Sequence, residues 1–123
     1  MNSIKMAAAA LALALGLLGS AGIVANAGAQ AAKALTDAKG MTLYTFDKDV
    51  VGKSNCNGQC AVNWPPFLAS GAPKSADWTM IKRDDGAMQW AYKGKPLYGW
   101  IKDQKPGDTT GDGVGGAWRV ATP

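Results

Sequence analysis

Two tyrosine–aspartate pairs with the same spacing are the residues of this chain best suited to chemistry. Tyr44 and Asp49 lie five positions apart in LYTFDKD, and Tyr98 and Asp103 repeat that spacing in LYGWIKD. Two carboxylates beside phenols are candidates for acid–base catalysis or ligand binding. Because equivalent positions usually do equivalent work, we expect a structural role instead. Each aspartate is predicted to accept a hydrogen bond from the tyrosine of its own segment, or from loop amides.

Two cysteines, Cys56 and Cys60, enclose Asn-Gly-Gln. An even count in an exported protein predicts a disulfide. Residues i and i+4 of a helix hold their β-carbons about 5–6 Å apart, whereas a disulfide needs about 3.8 Å. The bridge therefore requires Gly58 to break the helix. Thiol-redox chemistry and metal binding are the alternatives, although a redox dithiol usually spaces its cysteines by two residues at a helix N-terminus.

Aspartates also occur in glycine-rich loops, where oxygen ligands suit calcium. Asp103, Asp108 and Asp112 are the weak candidates for a cation site within DQKPGDTTGDG. Their spacing differs from that of an EF-hand loop, and the chain contains no glutamate to act as a bidentate ligand. Asp beside Gly is also ordinary turn chemistry. We therefore predict solvated turns and no resident metal or cofactor.

Five tryptophans supply large apolar surfaces, each worth on the order of 150–250 Å² when buried. Trp64 and Trp118 are predicted to lie in the core. Trp90, Tyr92 and Trp100 are the candidates for an exposed ligand face.

Composition narrows the function classes. The chain contains no histidine, so the commonest metal ligand and the usual neutral-pH proton shuttle are missing. Its net charge of +4 comes from scattered lysines and arginines rather than a basic stripe. We expect no nucleic-acid partner and no enzymatic activity.

The segments that carry these candidate residues are predicted to be β-strands. Turn signals recur every eight to twelve residues, which is typical of an all-β domain. Strands are predicted at Trp78–Lys82, Met88–Tyr92 and Pro96–Ile101, with a tight turn at Lys93-Gly94. Two earlier segments, 35–38 and 41–46, are predicted to flank a similar turn at Lys39-Gly40. A short helical turn is expected near residues 57–63.

The chain also repeats itself. Residues 39–64 match residues 93–118 at an offset of 54 without a gap, with seven identities that include both tyrosines, both aspartates and Trp64/Trp118. We predict two pseudo-repeats of hairpin, loop and tryptophan strand, at about 35–66 and about 89–121. Such copies are expected to pack together and share a core.

The pattern Tyr-x4-Asp, together with SNCNGQCAVNWPP and PGDTTGDGVGGAWRV, resembles the secreted-repeat family of predicted bacterial lipoproteins. The resemblance covers about residues 35–121. It implies an exported bacterial protein built of tandem repeats, with no biochemical role assigned to the family. This chain lacks the cysteine needed for N-terminal lipidation, which favours a soluble periplasmic or secreted form.

The first residues have the features of a leader. Lys5 precedes an uncharged Ala/Leu-rich run over residues 6–25, and Ala25-Asn26-Ala27 fits a cleavage site. Residues 1–27 are therefore predicted to be a cleaved Sec-type signal peptide, and residues 28–123 a single all-β domain without a transmembrane span.

The sequence favours a non-enzymatic envelope protein that binds a partner or supports an envelope structure. The expected partner is an envelope protein or a small ligand. One alternative is a periplasmic thiol-redox or electron-transfer accessory using Cys56 and Cys60. Another is a metal- or haem-related protein using the aspartate loops or Met41, Met80 and Met88.

Overall fold

The structure is a computed structural model that describes residues 33–123. The predicted leader, residues 1–27, lies outside this part of the chain. Strands and short helices follow in the order β1 (Tyr44–Phe46), α1 (Gln59–Asn63), β2 (Trp78–Lys82), β3 (Met88–Tyr92), β4 (Lys95–Pro96), a 3-10 turn (Val114–Gly116) and β5 (Trp118–Val120). Within residues 33–123, no helix is both long and apolar enough to cross a bilayer.

All strand pairing is antiparallel, and the predicted all-β class is confirmed. β1 pairs with β5, and a second sheet has the order β2-β3-β4. β2 and β3 have the predicted bounds and pair Trp78 with Tyr92 and Met80 with Trp90. Their alternation places Trp78 and Trp90 on one sheet face, where the two rings meet edge to face at 6.1 Å.

The third predicted strand, Pro96–Ile101, is wrong in length. The ladder with β3 covers only Lys95–Pro96. Beyond it, Leu97 donates its N–H to the carbonyl of Trp90, and Tyr98 bridges to Tyr44 and to Pro66. The chain thus leaves one sheet to pair with the other copy. The segment before the first turn is likewise not a full strand, because only the bridge between Thr36 and Thr42 forms there.

The two aligned turns differ in geometry. Lys93 and Gly94 both have positive φ, 51° and 82°, in a two-residue loop between Tyr92 and Lys95, which is a type I′ hairpin turn. The first copy instead uses a three-residue loop, in which the carbonyl of Asp37 accepts the N–H of Gly40. Asp37 N–H donates to the carbonyl of Met41, and the Asp37 carboxylate accepts the N–H of Met41. Because of the extra residue, Thr36 bridges to Thr42 in the first copy, whereas Pro96, the equivalent of Thr42, pairs with Ala91 rather than with Trp90, the equivalent of Thr36.

Backbone hydrogen bonds between the copies are reciprocal. Tyr44 N–H donates to Tyr98 O at 2.8 Å, and Tyr98 N–H donates to Tyr44 O at 2.9 Å. Further pairs obey the same 54-residue exchange: Asp47 N to Ala117 O with Ile101 N to Asn63 O, and Ala121 N to Leu43 O with Phe67 N to Leu97 O. When each contact recurs with both residues replaced by their equivalents in the other copy, the two copies are related by a two-fold axis. The copies are therefore related by an approximate two-fold passing near Tyr44 and Tyr98.

Two apolar clusters fill the interior. The first cluster joins the β2–β3 sheet to both leucines of the repeat motif: Leu43, Trp78, Trp90, Leu97 and Ala121. The second cluster lies around the two-fold: Tyr44, Cys56, Trp64, Tyr98 and Trp118. Both clusters take residues from both copies, so neither copy has a core of its own.

Candidate functional site

The tyrosine–aspartate pairs are exchanged between the copies. Tyr44 donates its hydroxyl hydrogen to Asp103 Oδ2 at 2.6 Å, and Tyr98 donates to Asp49 Oδ2 at 2.6 Å. The expected bond within each copy is therefore wrong in its partner. Each tyrosine reaches across the two-fold because its strand pairs with the other tyrosine's strand. The lengths are those of short hydrogen bonds from a hydroxyl to a carboxylate.

Each aspartate also holds the loop that follows it. Asp49 Oδ1 accepts the N–H of Asn55 at 2.7 Å. Asp103 Oδ1 accepts from the N–H and the hydroxyl of Thr110, at 3.0 and 2.6 Å. The predicted role of accepting from loop amides is thus present at both positions. A carboxylate with both oxygens occupied in this way ties a strand of one copy to a loop of the other.

Burial sets the ionisation of these groups. Both tyrosine side chains are fully buried. Desolvation, followed by the hydrogen bond to Asp103, raises the pKa of Tyr44 well above its ordinary value. Desolvation and the hydrogen bond to Asp49 raise the pKa of Tyr98 in the same way. Both phenols therefore stay protonated at neutral pH and act as hydrogen-bond donors.

Burial disfavours the charged form of the Asp49 carboxyl group. Desolvation is the largest influence and raises its pKa, although the bonds from Tyr98 and Asn55 and the charge of Arg83 act in the opposite direction. The copies differ here, because Asp103 binds Tyr44 and Thr110 and, in the described part of the chain, no arginine.

A buried arginine extends the pair formed by Tyr98 and Asp49 into a chain of hydrogen bonds. Arg83 is 3% exposed and donates from Nη1 to Ser54 Oγ at 3.0 Å. Ser54 Oγ lies 2.6 Å from Tyr98 Oη. Because the single hydroxyl hydrogen of Tyr98 is given to Asp49, Ser54 must donate to Tyr98. The order Arg83, Ser54, Tyr98, Asp49 thus runs donor to acceptor from a cation to a carboxylate.

The same guanidinium group also joins the β2–β3 hairpin to its neighbours. It donates to Gln89 Oε1 at 2.9 Å and to the carbonyl of Cys56 at 2.7 Å. Gln89 is fully buried and donates in turn to the carbonyl of Leu97. Sequence reasoning missed Arg83, Gln89 and Ser54. Their only signal is that polar residues fall at inward positions of a hairpin and its loop, which is visible only once the pairing is known.

The disulfide between Cys56 and Cys60 is present, with the two Cα atoms 5.2 Å apart. Gly58 has a φ of 61° and caps α1, which begins at Gln59. Cys56 therefore lies outside the helix, and the predicted helix break at Gly58 is what brings the sulfurs together. Cys56 is fully buried in the second cluster, while Cys60 is half-buried beside it.

Four rings form a continuous stack through the second cluster. Trp64 and Trp118 lie parallel with centroids 3.7 Å apart, Trp100 stacks on Trp64 at 3.9 Å, and Phe46 stacks on Trp118 at 4.2 Å. The order alternates between copies, and the two-fold exchanges its halves. Trp64 and Trp118 therefore occupy the predicted core position.

The three candidates for a ligand face do not come together. Trp90 is buried in the first cluster, with Tyr92 packed against the same cluster, whereas Trp100 belongs to the stack in the second. Trp100 does border a cleft of about 200 Å³ beside Asp103. An equivalent cleft of about 240 Å³ lies beside Phe46 and Asp49.

The aspartates suggested as weak metal ligands are also separated by their contacts. Asp108 accepts the N–H groups of Gln104 and Lys105, and Asp112 accepts the N–H of Val120. Asp103 is occupied by Tyr44 and Thr110. Among residues 33–123, no three candidate ligands of the Asp, Glu, Cys or His type converge on one point.

Comparison with known proteins gives one match. A family model described as a secreted repeat of unknown function matches residues 30–67 and again residues 79–122, which together make up more than half of the chain. No curated protein matches the chain significantly, and no solved structure does. The two matched segments contain the two Tyr-x4-Asp motifs.

Proposed function

Since the chain belongs to the family of secreted repeats of unknown function, we propose that it is an exported, non-enzymatic envelope module that acts by binding a partner. In this proposal the repeat motifs build a scaffold, and the loops that differ between the two copies present the binding surface. The observation that carries the proposal is the exchange of hydrogen bonds between Tyr44 and Asp103 and between Tyr98 and Asp49. Every group of the motif that could do acid–base chemistry has a partner inside the fold.

The ionisation of the tyrosines supports this reading. A catalytic acid or base works best with a pKa near the working pH. Burial moves the pKa of both tyrosines in the opposite direction, away from neutrality. Both side chains are also fully buried, so a substrate has no path to their hydroxyl groups without local unfolding.

The disulfide loop is proposed to be a structural staple. A disulfide exchanges when a thiolate reaches one of its sulfurs. Cys56 is fully buried and its carbonyl is held by Arg83, and Cys60 packs against the same cluster. These contacts support a bridge that stabilises the loop in preference to a redox-active pair. On the loop-length model, a loop this small is worth roughly 2 kcal/mol.

The proposal includes the route of export. Residues 1–27 have the composition of a Sec-type signal peptide, and we place the mature protein in the periplasm or outside the cell. N-terminal sequencing of protein isolated from the producing cells tests this placement. The expected first residue is Gly28, and an intact Met1 would contradict it.

The test of function uses two assays on one preparation. The first measures sedimentation of the purified mature protein with isolated cell envelopes. The second measures reduction of insulin disulfides in the presence of dithiothreitol. We expect co-sedimentation and no acceleration of insulin reduction by wild type or by the Cys56→Ala/Cys60→Ala variant. Acceleration by wild type alone would establish the thiol-redox alternative and overturn the proposal.

A third readout addresses the metal and haem alternative. Calcium or haemin that binds the folded protein at a defined site raises its melting temperature in proportion to ligand concentration. We expect no shift with either ligand. A saturable shift in melting temperature would contradict the proposed scaffold for an envelope partner. It would establish a metal- or haem-binding protein instead.

A further inference from the structure

Two valines are exposed at the end of a tight turn in the first copy. Val50 and Lys53 exchange backbone hydrogen bonds at 3.3 and 3.0 Å, which leaves Val51 and Gly52 at the tip. Val50 is 58% exposed and Val51 is 85% exposed. Single exposed apolar residues are common on protein surfaces. Two adjacent valines on a hydrogen-bonded turn are different, because the turn holds both side chains out of the core.

This valine tip, residues 50–53, docks on the turn between β3 and β4. Gly52 donates its N–H to the carbonyl of Gly94 at 2.9 Å. A β-carbon placed on Gly94 would lie 2.9 Å from Val51 Cγ1, so the valine lies directly against that glycine. The two turns therefore form one rigid projection, and Lys93 and Lys95 flank the glycine that Val51 touches.

The projection carries an excess of positive charge. Lys48, Lys93 and Lys95 are exposed, and none of them forms a salt bridge within residues 33–123. Three carboxylates of this region are already engaged: Asp47 pairs with Arg119 at 2.9 Å, Asp84 pairs with Lys53 at 2.6 Å, and Asp49 binds Tyr98 and Asn55. Asp77, whose carbonyl accepts the N–H of Lys93 at 2.8 Å, is exposed and forms no salt bridge within residues 33–123, so it offsets one of the three lysines. The apolar tip therefore has more lysines than unpaired carboxylates beside it in the chain and on the adjoining turn, and the Lys93 ammonium also lies over the Tyr92 ring at 5.4 Å.

Lys93 occupies a backbone conformation that does not suit lysine. It is the single non-glycine residue with positive φ among residues 33–123, at 51°. Asparagine, aspartate or glycine is favoured at this position of a type I′ turn. A lysine there gives up conformational stability, and strained positions of this kind tend to mark function. The aligned Lys39 has no such strain, since its turn has a different geometry.

The equivalent loop of the second copy lacks both features. Its aligned residues are Gln104, Lys105, Pro106 and Gly107, and Lys105 is neutralised by Asp108 at 2.9 Å. The apolar, basic projection is thus confined to one copy and is not required by the repeat architecture.

From these observations we propose that the valine tip, with Lys48, Lys93 and Lys95 around it, docks on an anionic lipid bilayer. The inference rests on the proposed role as a binding module and names its partner. Val50 and Val51 enter the boundary between headgroups and acyl chains, while the lysine ammonium groups contact lipid phosphates. Apolar burial combined with attraction between lysines and acidic headgroups is how peripheral proteins bind membranes.

The test measures partitioning of the mature protein onto vesicles by co-sedimentation. One vesicle type is phosphatidylcholine mixed with phosphatidylglycerol, and the other is phosphatidylcholine alone. We expect binding to the mixed vesicles, weakened by added salt, and little binding to the neutral ones. The Val50→Ser/Val51→Ser variant should bind about ten-fold more weakly or worse. Val62→Ser is the matched control, because Val62 is 59% exposed on α1, and it should bind like wild type.

Lys93→Asn separates the membrane role from a structural one. Asparagine suits the turn, so this variant should have a higher melting temperature than wild type, yet its partitioning should fall about five-fold. Equal binding to both vesicle types, equal loss in Val62→Ser, or undiminished binding of the valine variant would overturn the inference. So would binding to dextran sulfate in solution without binding to vesicles. If envelopes still retain the protein while vesicles do not, the membrane inference fails and the binding-module proposal stands.

Discussion

Tyr44 and Tyr98 exchange both of their backbone hydrogen bonds, at 2.8 and 2.9 Å, across the approximate two-fold that relates the copies. The hydroxyl of each then reaches the aspartate that follows the other. The motif therefore joins the two copies through both backbone and side-chain hydrogen bonds.

Removing one tyrosine hydroxyl should destabilise the protein without disturbing its packing. Tyr98→Phe removes the donor to Asp49 Oδ2 and the acceptor of the Ser54 hydroxyl hydrogen, which should cost about 1–3 kcal/mol of unfolding free energy. Tyr44→Ala and Tyr98→Ala remove a buried ring as well and should each cost about 3–5 kcal/mol. Chemical denaturation checks these values. Tyr92→Phe is the control, because its hydroxyl makes no hydrogen bond within residues 33–123. A full-stability Tyr98→Phe protein would mean that the hydroxyl is free to serve a partner.

The pH dependence of stability should carry the signature of Asp49. Burial raises the pKa of this carboxyl in the folded protein, so the folded state binds the proton more tightly than the unfolded state does. Its contribution to stability is then present at low pH and declines as pH rises through the ordinary range for aspartate, about 4, to the raised folded pKa. Asp49→Asn should lack that decline. The measurement is the difference in unfolding free energy between wild type and variant from pH 3 to pH 7. A difference that moves in favour of wild type as pH rises would show that Tyr98, Asn55 and Arg83 outweigh burial.

Gly111 should tolerate no side chain, because neighbouring rings already fill the space that a β-carbon would occupy. A β-carbon there would lie 2.9 Å from two ring atoms of Trp64 and 3.0 Å from Trp100. Gly111→Ala should therefore spread the ring stack and cost about 1–3 kcal/mol. Gly99→Ala is the matched control, since its nearest neighbour would be the carbonyl oxygen of Pro65 at an ordinary 3.9 Å. Near-ultraviolet circular dichroism and thermal melting report both effects. Equal stability of the two variants would contradict the close packing of the stack.

Much of the architecture could be predicted because it follows local rules. Alternation and turn residues located β2 and β3, and Lys93-Gly94 marked their following turn. The bridge from Cys56 to Cys60 followed from the cysteine count and from Gly58. The family match also bears out the resemblance to secreted repeats.

The partners of the tyrosines could not be predicted from the spacing. The five-position spacing from Tyr44 to Asp49 looks the same whether the bond forms within a copy or is exchanged between copies. The choice is made by the antiparallel pairing of Tyr44 with Tyr98, which brings together residues 54 positions apart. Arg83 was hidden for a similar reason. It resembles an exposed turn residue until Ser54, from a distant loop, is brought onto it.

The exchange of tyrosine–aspartate hydrogen bonds is the central feature of this fold. A pair of double-mutant cycles measures whether the exchange occurs. The first cycle combines Tyr44→Phe with Asp103→Ala, and the second combines Tyr44→Phe with Asp49→Ala. Side chains in direct contact show coupling energies of about 0.5–3 kcal/mol, whereas independent sites add within about 0.5 kcal/mol. The exchange predicts strong coupling between Tyr44 and Asp103 and none beyond error between Tyr44 and Asp49. Coupling of Tyr44 to Asp49 alone would place the bond within one copy and contradict the interlocked fold.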